Sequence, residues 1–291
     1  MQNFPLVSII CLSYNHEDYV VEALNSVINQ KYPNIELLIA DDCSTDNSVE
    51  KIQNWLQHHP KVHFSANEKN LGNTKTFNQL AKKATGEYII DLAADDVLLP
   101  NCVEKQIETF KKTKCKNLGI VYGNIIEINQ DGTFLRNYYT ELDDPKSGDI
   151  YSMVIGRTTK ICSVSSMVKK SVFEELSYYD EKLAYEDLDL WVRASRIYEF
   201  EYIDAFLVKK RELSTSLSAF FTHRNNKKTK LLHQSSLTIL KKAYDLNQTK
   251  DEFKALLGRI QFEFNKFLKS RNYLLLFQLL FLGLKTKWKS L

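Results

Sequence analysis

The sequence has little of what a disulfide scaffold, a zinc site or a membrane span requires. Its 291 residues include only five cysteines, which are odd in number, widely spaced and without a CxxC pair. We therefore expect free thiols in a reducing cytosol. No run reaches the ~18 apolar residues of a spanning helix, and no basic leader precedes an apolar run in MQNFPLVSII, so we expect neither secretion nor membrane spanning.

Glycine and proline are each absent from one part of the chain where their absence is informative. The turn after the first apolar run, LSYNHEDY, has no glycine, whereas a dinucleotide-binding fold needs its GxGxxG there. A nicotinamide-dependent dehydrogenase is therefore disfavoured. No proline occurs from about Asn225 to the end, and the Lys-rich pattern of that region predicts helices.

The N-terminal and C-terminal parts of the chain carry net charges of opposite sign. Residues 221–291 carry 15 Lys and Arg against 4 Asp and Glu, which leaves 24 against 32 in residues 1–220. The front is therefore acidic and the tail basic, which predicts two regions with different partners. No nucleic-acid-binding motif accompanies the basic charge, so we do not expect a nucleic-acid partner.

The first hundred residues alternate short β-rich runs with helical patterns. The strand-like runs are VSIICL, IELLIA, VHF and EYII, and the stretches between them, about 18–30, 44–58 and 73–84, have apolar residues at helical spacing. This rhythm predicts βαβ units on a parallel sheet flanked by helices. Ligands of such a sheet bind beyond the carboxyl ends of its strands.

The alternation is looser after Pro100. We expect a helix over 102–112, a strand pair in GIVYGNIIEI, a loop or hairpin over 129–148 and a half-buried strand in CSVSSMVKK. Another helix is expected to begin within YEDLDLWVRASRIY.

Carboxylates follow the predicted strands. In ADDCSTDNS, Ser44 or Asp46 is expected to cap the next helix, which leaves Asp42 without a purely structural explanation. In DLAADDVLLP, Asp91 is expected to be structural, and the adjacent Asp95 and Asp96 allow two interpretations. They form either a solvated acidic turn or a site for Mg²⁺ or Mn²⁺ that substrate phosphate oxygens complete.

A third acidic group lies in AYEDLDLWVRAS. Glu186, Asp187 and Asp189 fall in a first helical turn, where the helix dipole favours negative charge without any catalytic role. The functional alternative is a general base, a carboxylate held at the helix start and able to take a proton from a hydroxyl.

The ordered series of motifs resembles the inverting family 2 glycosyltransferases of bacterial cell-surface polysaccharide synthesis. The resemblance lies in VSIICLSYNHEDYVVEALNSVINQKYPNIELLIADDCSTDNS, NLGNTKTFNQLAKKATGEYIIDLAADD and EDLDLWVRAS, and it covers about Pro5 to Arg211. It implies a GT-A type fold, a Rossmann-like mixed sheet flanked by helices with a C-terminal helical extension. It also implies transfer of a sugar from a nucleotide-diphosphate donor, most often a UDP-sugar, to a glycan or lipid-linked acceptor hydroxyl.

The resemblance assigns roles to individual residues. It implies that the nucleotide-sugar site includes Tyr14, Asn15, Asp42, Asn70, Lys75, Asp95 and Arg211. It further implies a Mn²⁺ or Mg²⁺ ion on Asp95 and Asp96, and a catalytic base at Asp187, with Glu186 the less favoured choice. Arg211 would lie close to the donor's diphosphate.

Two departures from the family pattern matter. Ala93 stands where many relatives have an aspartate, so the alternative of a non-catalytic sugar-nucleotide-binding protein stays open. Cys43 stands where the usual motif has glycine, at a turn position where positive φ would suit glycine better.

We expect residues 1–220 to form the GT-A domain, with a nucleotide-sugar-binding half (1–100) and an acceptor half (101–220), and 221–291 to form a basic helical region. The apolar run Tyr273 to Leu284 is too short to span a bilayer. It either packs on the protein or a second subunit, or lies on the anionic inner face of the plasma membrane, which would suit a lipid-linked acceptor. We expect a cytoplasmic protein, and an oligomer stays open.

Overall fold

One mixed sheet organises the fold in the computed structural model, which describes residues 4–157, 160–213 and 226–291. The strands in these ranges are β1 (Val7–Ser13), β2 (Ile35–Asp41), β3 (His63–Ala66), β4 (Tyr88–Ala93), β5 (Val97–Leu98), β6 (Leu118–Ile128), β7 (Phe134–Asn137), β8 (Met167–Lys169) and β9 (Glu199–Arg211). Their order is β3-β2-β1-β4-β8-β6-β9-β5, and β7 pairs with β6.

Helices cover both faces of this sheet. In chain order they are α1 (Val20–Ile28), α2 (Ser48–Leu56), α3 (Asn73–Ala81), α4 (Cys102–Lys112), α5 (Tyr151–Gly156), α6 (Lys170–Glu175), α7 (Glu186–Ala194), α8 (Lys227–Leu246), α9 (Lys250–Lys269) and α10 (Tyr273–Ser290). None of the helices in the described ranges is both long enough and apolar enough to cross a membrane.

The first four strands confirm the predicted βαβ units. β1 pairs in parallel with β2 and β4, and β2 pairs in parallel with β3. Along β1, Ile10 and Leu12 belong to the core on one face of the sheet, while Ile9 and Cys11 belong to the core on the other. A strand buried on both faces carries an unbroken apolar run, which is why VSIICL has no alternation.

The structure corrects two predictions in the second half of the sheet. GIVYGNIIEI is not a strand pair but part of one long strand, β6, whose register with β9 shifts at Gly123. A Cβ at Gly123 would come within 2.6 Å of the Leu207 side chain, so this glycine allows a close approach between strands and does not mark a turn.

CSVSSMVKK is only partly a strand. Residues Ser163–Ser165 form a 3₁₀ turn, and β8 has three residues. The hydroxyls of Ser165 and Ser166 donate to the Cys162 carbonyl at 2.9 and 3.3 Å, which favours the turn over extended backbone. The short strand β5, helix α5 and the 13-residue strand β9 are elements that the sequence patterns did not predict.

The predicted C-terminal helical extension is confirmed, and it packs against the α/β domain. One hydrophobic cluster includes Phe173 and Trp191 together with Leu240, Phe267 and Leu279 of the last three helices. The Lys242 ammonium of α8 also contacts the carboxylates of Asp180 and Asp189 at 2.8 and 2.7 Å. The boundary expected at residues 220 and 221 lies outside the described residues.

Candidate functional site

The candidate site lies where three parallel strands end. Ser13 of β1 is paired with Asp41 of β2, and Leu12 of β1 is paired with Ala93 of β4. The turns that follow these strands therefore meet at one edge of the sheet, as the sequence predicted.

The turn after β2 is held by its own carboxylates and by Asn15. Neither expected capping residue occupies the N-cap position of α2, which is Asn47, although Asp46 accepts a hydrogen bond from the N–H of Ser48, the first residue of the helix, at 2.9 Å. Asn15 has a φ of 56°, and its side-chain oxygen accepts from the Thr45 N–H at 2.8 Å. Asn15 thus joins the turn after β1 to the turn after β2.

Asp42 is buried and holds the loop that leads into α3. Its carboxylate accepts four hydrogen bonds of 2.8 to 3.1 Å, from the Asn67 amide, the Leu71 N–H, the Gly72 N–H and the Thr76 hydroxyl. Gly72 has a φ of 87°, which a glycine adopts readily. Because these donors use most of the acceptor sites of a carboxylate, Asp42 first of all shapes this loop. Its contact with the donor base stays a prediction.

Three other predicted donor-binding residues have exposed side chains. Tyr14 follows β1 and is 45% exposed. Asn70 lies in the loop, and Lys75 lies in the first turn of α3. Their side chains can meet a ligand at the sheet edge without any rearrangement of the core.

Asp95 and Asp96 form a carboxylate pair just beyond β4. Asp96 is buried and accepts from the Arg211 N–H at 2.8 Å, while Asp95 is half-buried with its Oδ2 4.0 Å from His16 Nε2. Burial, and then the charge of Asp95, raise the pKa of Asp96 well above its ordinary value. The pair would therefore be stabilised by an added cation.

The Arg211 guanidinium is held by backbone carbonyls and by Glu22, and within the described ranges its hydrogen bonds include none to the two carboxylates of this pair. It donates to the backbone carbonyls of Asp95, Asn129 and Gln130 and to the Glu22 carboxylate, at 2.8 to 3.2 Å. Arg211 thus supports the Asp95–Asp96 turn through its main chain and side chain. Its contact with the donor diphosphate stays a prediction.

Lys210 is a residue of the site that sequence reasoning missed. On a strand, successive side chains face opposite sides, so Lys210 lies opposite Arg211. Burial disfavours its charge, yet the surrounding Cys162 and Asp96 outweigh this and raise the pKa of Lys210. Its positive charge also opposes the rise in the pKa of Asp187. The sequence signal for Lys210 was the KKR run at the end of β9, but it could be used only if β9 had been predicted as a strand.

His16 is a second missed residue. It lies in the turn after β1, and its Nδ1 is buried without a hydrogen-bond partner among the described residues. The sequence signal was its place in YNHED, at the same sheet edge as Asp42 and Asp95.

Of the three acids at the start of α7, one is neutralised and two are not. Asp189 is fully buried and contacts Arg193 Nε and Lys242 Nζ, both at 2.7 Å. Glu186 accepts from the Asn73 amide at 3.1 Å, and Asp187 accepts from the Leu188 N–H at 2.7 Å. Within the described ranges, neither Glu186 nor Asp187 forms an ion pair. Asp189 is therefore structural.

Burial and mutual repulsion shift the remaining acids toward neutral pKa values. Burial, and then the charge of Asp187, raise the pKa of Glu186 to about 7. Burial also raises the pKa of Asp187. Asp91 of β4 accepts from the Tyr179 hydroxyl at 3.2 Å, and burial followed by the charge of Glu186 raises its pKa to about 7. Carboxylates of this kind can take up a proton near neutral pH.

The two acidic groups offer different chemistry. Among the residues that the structure describes, no set of three or more His, Cys, Asp or Glu side chains could hold a metal alone. Two adjacent carboxylates suit Mg²⁺ or Mn²⁺ when substrate oxygens complete the shell, so Asp95 and Asp96 fit a cation that arrives with a phosphate ligand. Glu186 and Asp187 fit proton transfer.

The sheet order, the acidic edge and the α7 carboxylates together define an α/β protein of the GT-A type. The model of the family described as "Glycosyl transferase family 2" matches residues 8–177, more than half of the chain. The chain belongs to glycosyl transferase family 2, which confirms the resemblance drawn from its motifs.

Relatives with curated names agree with this family. The chain is 29% identical over 210 residues to an uncharacterized glycosyltransferase of Methanocaldococcus jannaschii, covering 71% of each. It is 29% identical over 205 residues to the chondroitin synthase of Escherichia coli, covering 70% of this chain and 28% of that protein. It is 33% identical over 134 residues to a putative teichuronic acid biosynthesis glycosyltransferase of Bacillus subtilis, covering 46% and 52%.

The chain spans well under two thirds of the length of the chondroitin synthase and of the teichuronic acid glycosyltransferase. Several other uncharacterized glycosyltransferases that it matches are also longer, and it spans 30% of the one from Rickettsia bellii.

Solved structures share the fold at low sequence identity. The TarS protein of S. aureus in complex with UDP-GlcNAc has a TM-score of 0.60 at 16% identity, covering 97% of this chain and 89% of that one. A mannosyltransferase from Pyrobaculum calidifontis in complex with GDP-Man and Mn²⁺ has a TM-score of 0.63 at 16% identity, covering 97% and 74%. These similarities establish the GT-A-like α/β fold of the chain.

Proposed function

We propose that this glycosyltransferase moves a sugar from a UDP-sugar to an acceptor hydroxyl with inversion at the anomeric carbon. The observation that carries the proposal is the division of the acids into two groups. Asp95 and Asp96 form a pair that a cation would stabilise, and Glu186 and Asp187 form a separate pair that has no ion partner among the described residues. Inversion needs the base and the leaving group on opposite faces of the sugar, so two separate groups suit it.

Asp187 is the proposed base, and Glu186 is the second choice. The acceptor hydroxyl gives its proton to the Asp187 carboxylate as its oxygen attacks the anomeric carbon. Glu186 is held by the Asn73 amide of α3. We assign it mainly to holding the start of α7 against α3, next to Asp187 in the chain.

The Asp95–Asp96 pair is assigned to the leaving diphosphate. Asp95 and Asp96 would hold Mn²⁺ or Mg²⁺, which when bound neutralises the negative charge that develops on the diphosphate. The Arg211 N–H fixes the Asp96 carboxylate, and the Lys210 ammonium adds a positive charge between Asp96 and Asp187. Tyr14, Asn15, Asp42, Asn70 and Lys75 are assigned to the nucleotide end.

The comparisons support a sugar nucleotide and a polysaccharide product. TarS is described with UDP-GlcNAc and the Pyrobaculum enzyme with GDP-Man and Mn²⁺, so both nucleotides belong in a test. The chondroitin and teichuronic acid enzymes by name make glycans. We therefore propose a hexosyl or hexosaminyl donor and a saccharide or lipid-linked glycan of the cell surface as acceptor.

We further propose that the protein acts in the cytoplasm, at the inner face of the plasma membrane. All five cysteines are free thiols, as expected in a reducing compartment. A lipid-linked acceptor would lie at that membrane face, and α10 offers the surface that would meet it.

Donor screening tests the proposal. Nucleotide release from a panel of UDP- and GDP-sugars would be measured with Mn²⁺, with Mg²⁺ and with EDTA. We expect slow hydrolysis of one UDP-sugar that EDTA abolishes, and NMR of a transfer product should show the inverted anomer. A product with retained configuration would contradict the assignment of Asp187.

A non-catalytic sugar-nucleotide-binding protein is the second candidate, and Ala93 is the feature that favours it. Such a protein would bind a UDP-sugar in calorimetry but would release no nucleotide from any donor. Binding without release, in the presence of Mn²⁺, would therefore favour this candidate.

A further inference from the structure

Helix α10 carries apolar side chains on two faces, and only one of them is covered by the protein. Leu275, Leu276, Leu279 and Leu282 are buried against α8 and α9. The outward residues, which we call the α10 crest, are between 46 and 75% exposed: Leu274, Phe277, Leu280, Phe281, Leu284 and Trp288. A helix that is apolar all round is normally buried all round, so the crest is suited to a further apolar environment.

Basic side chains flank the crest on both sides. The groove between α10 and α8 is lined by Lys230, Lys241 and Arg271, and the groove between α10 and α9 reaches Lys287. Lys285 lies over the Phe281 ring at 4.7 Å. No Asp or Glu follows Glu263 in the sequence. The crest is thus an apolar ridge flanked mainly by positive charge, although Asp245 lies beside Lys241 and Lys285 in the groove along Phe277 and Phe281.

We propose that the α10 crest docks on the surface of an anionic lipid bilayer. The aromatic and leucine side chains would enter the boundary between headgroups and acyl chains, and the flanking lysines would meet lipid phosphates. The charge pattern selects this occupant over a second copy of the chain. A symmetric contact between two crests would bring the same lysines and Arg271 together, whereas anionic lipid neutralises them.

The docked face is rigidly connected to the catalytic helix. Lys242 of α8 holds Asp189 of α7 at 2.7 Å, and the Ser235 hydroxyl of α8 accepts from the Ala184 N–H at 2.9 Å, two residues before α7 begins. Arg196, just after α7, contacts Glu252 of α9 at 2.6 Å. Docking would therefore fix the orientation of Glu186 and Asp187 relative to the bilayer.

Flotation with vesicles tests the proposal directly. The whole protein would be mixed with vesicles of phosphatidylcholine alone or with phosphatidylglycerol, without donor or acceptor. We expect flotation with the anionic vesicles and at least tenfold weaker partitioning with the neutral ones. Because no sugar transfer is involved, failure here would leave the donor assay unaffected.

Trp288 provides an internal reporter. Of the three tryptophans, Trp55 and Trp191 are buried and Trp288 is 75% exposed. We expect its emission to shift to shorter wavelength on anionic vesicles and to be quenched by brominated acyl chains. Flotation without quenching would show a contact through lysines alone and would overturn insertion of the crest.

Paired variants separate docking from folding. Phe277→Gln with Phe281→Gln should weaken partitioning at least tenfold, and Lys285→Gln with Lys287→Gln should weaken it about fivefold per lysine. The matched control is Phe134→Gln with Leu135→Gln, exposed apolar residues on β7. Circular dichroism would verify that all three variants fold.

Two further results would overturn the proposal. One is wild-type protein that floats with neither vesicle. The other is a wild-type dimer in sedimentation that the Phe277 and Phe281 substitutions dissociate, which would assign the crest to a second copy.

Discussion

The turn after β2 and the start of α7 are both rich in carboxylates, but the two regions use them in opposite ways. Asp42 accepts four hydrogen bonds, and Asp46 accepts from the Glu17 and Ser48 N–H groups, so these carboxylates hold the backbone in place. Glu186 and Asp187 accept few hydrogen bonds and have raised pKa values. A carboxylate surrounded by hydrogen-bond donors stabilises the fold, and a carboxylate with few hydrogen-bond donors can take up a proton.

The largest effect is expected from Asp187→Asn. It removes the proposed base while keeping the shape of the side chain, so turnover should fall by about 10²–10⁴-fold with little change in donor affinity. Steady-state nucleotide release and calorimetric donor binding would measure the two quantities, with Glu104→Gln on α4 as the control. Near-normal turnover would transfer the role of base to Glu186.

Asp42→Ala should act on stability. It leaves the Leu71 and Gly72 N–H groups without their acceptor, and we expect the free energy of unfolding to fall by about 2–4 kcal/mol. Urea unfolding would measure this, and Asp187→Asn should show no such loss. A stable Asp42→Ala protein that merely loses nucleotide binding would make Asp42 a ligand-binding residue and not one that mainly shapes the fold.

Lys210→Met tests the cation between the two acidic groups. We infer that the Lys210 ammonium interacts with the second phosphate of the nucleotide, so the affinity of the variant for UDP should fall about tenfold while its affinity for UMP is unchanged. Lys209→Met is the matched control on the neighbouring position of β9. An equal loss for UDP and UMP would indicate a general disturbance of the fold.

The two regions should also respond differently to pH. The pKa of Glu186 and of Asp91 is raised to about 7, so the stability linked to these groups is complete below their ordinary pKa of about 4 and is lost as the pH rises through 7. Burial also raises the pKa of Asp187, so turnover should rise with pH as this carboxyl loses its proton. The pKa of Asp46 is lowered, because hydrogen bonds from Ser48 and Glu17 outweigh its burial, so its contribution is lost only in acid.

Thermal unfolding and turnover measured from about pH 4 to 8 would check this. Glu186→Gln should flatten the fall in stability toward neutral pH. A wild-type rate that stays constant over this whole pH range would contradict a base with a raised pKa.

Cys43→Gly should have the smallest effect. Cys43 has a φ of 65°, which costs a residue with a Cβ more than it costs glycine. We expect a gain of about 0.5–1 kcal/mol in the free energy of unfolding, with turnover unchanged. A loss of stability would mean that the contact of Cys43 Sγ with the Glu68 carbonyl, at 3.7 Å, outweighs backbone strain.

The sequence predicted the parallel half of the fold because fully buried strands are continuous apolar runs with sharp ends. It missed β9 because EFEYIDAFLVKKR has no regular alternation, and its burial is equally irregular. The GIVYGNIIEI error has a similar cause, since Gly123 looks like a turn residue until its contact with Leu207 is known.

The same limit applies to the site. The order of the motifs predicted that the acidic turns lie at one edge of the sheet, because that prediction needs only the direction of the strands. Which carboxylates are satisfied depends on distant partners, such as the Leu71 N–H for Asp42 or Lys242 for Asp189. The positions of Lys210 and Arg211 depend on which face of an unpredicted strand each occupies. Local pattern carries none of this information.

The contact between Lys242 and Asp189 limits how this enzyme can be recombined with its relatives. A chimaera that exchanged residues 226–291 for those of a relative would leave the fully buried Asp189 without one of its two cations unless the incoming helix supplied a lysine at the same place. Loss of a buried partner costs about 3–5 kcal/mol, and the cost would fall on the helix that bears Glu186 and Asp187. We therefore expect such a chimaera to keep its stability only when α7 and the C-terminal helices are exchanged together.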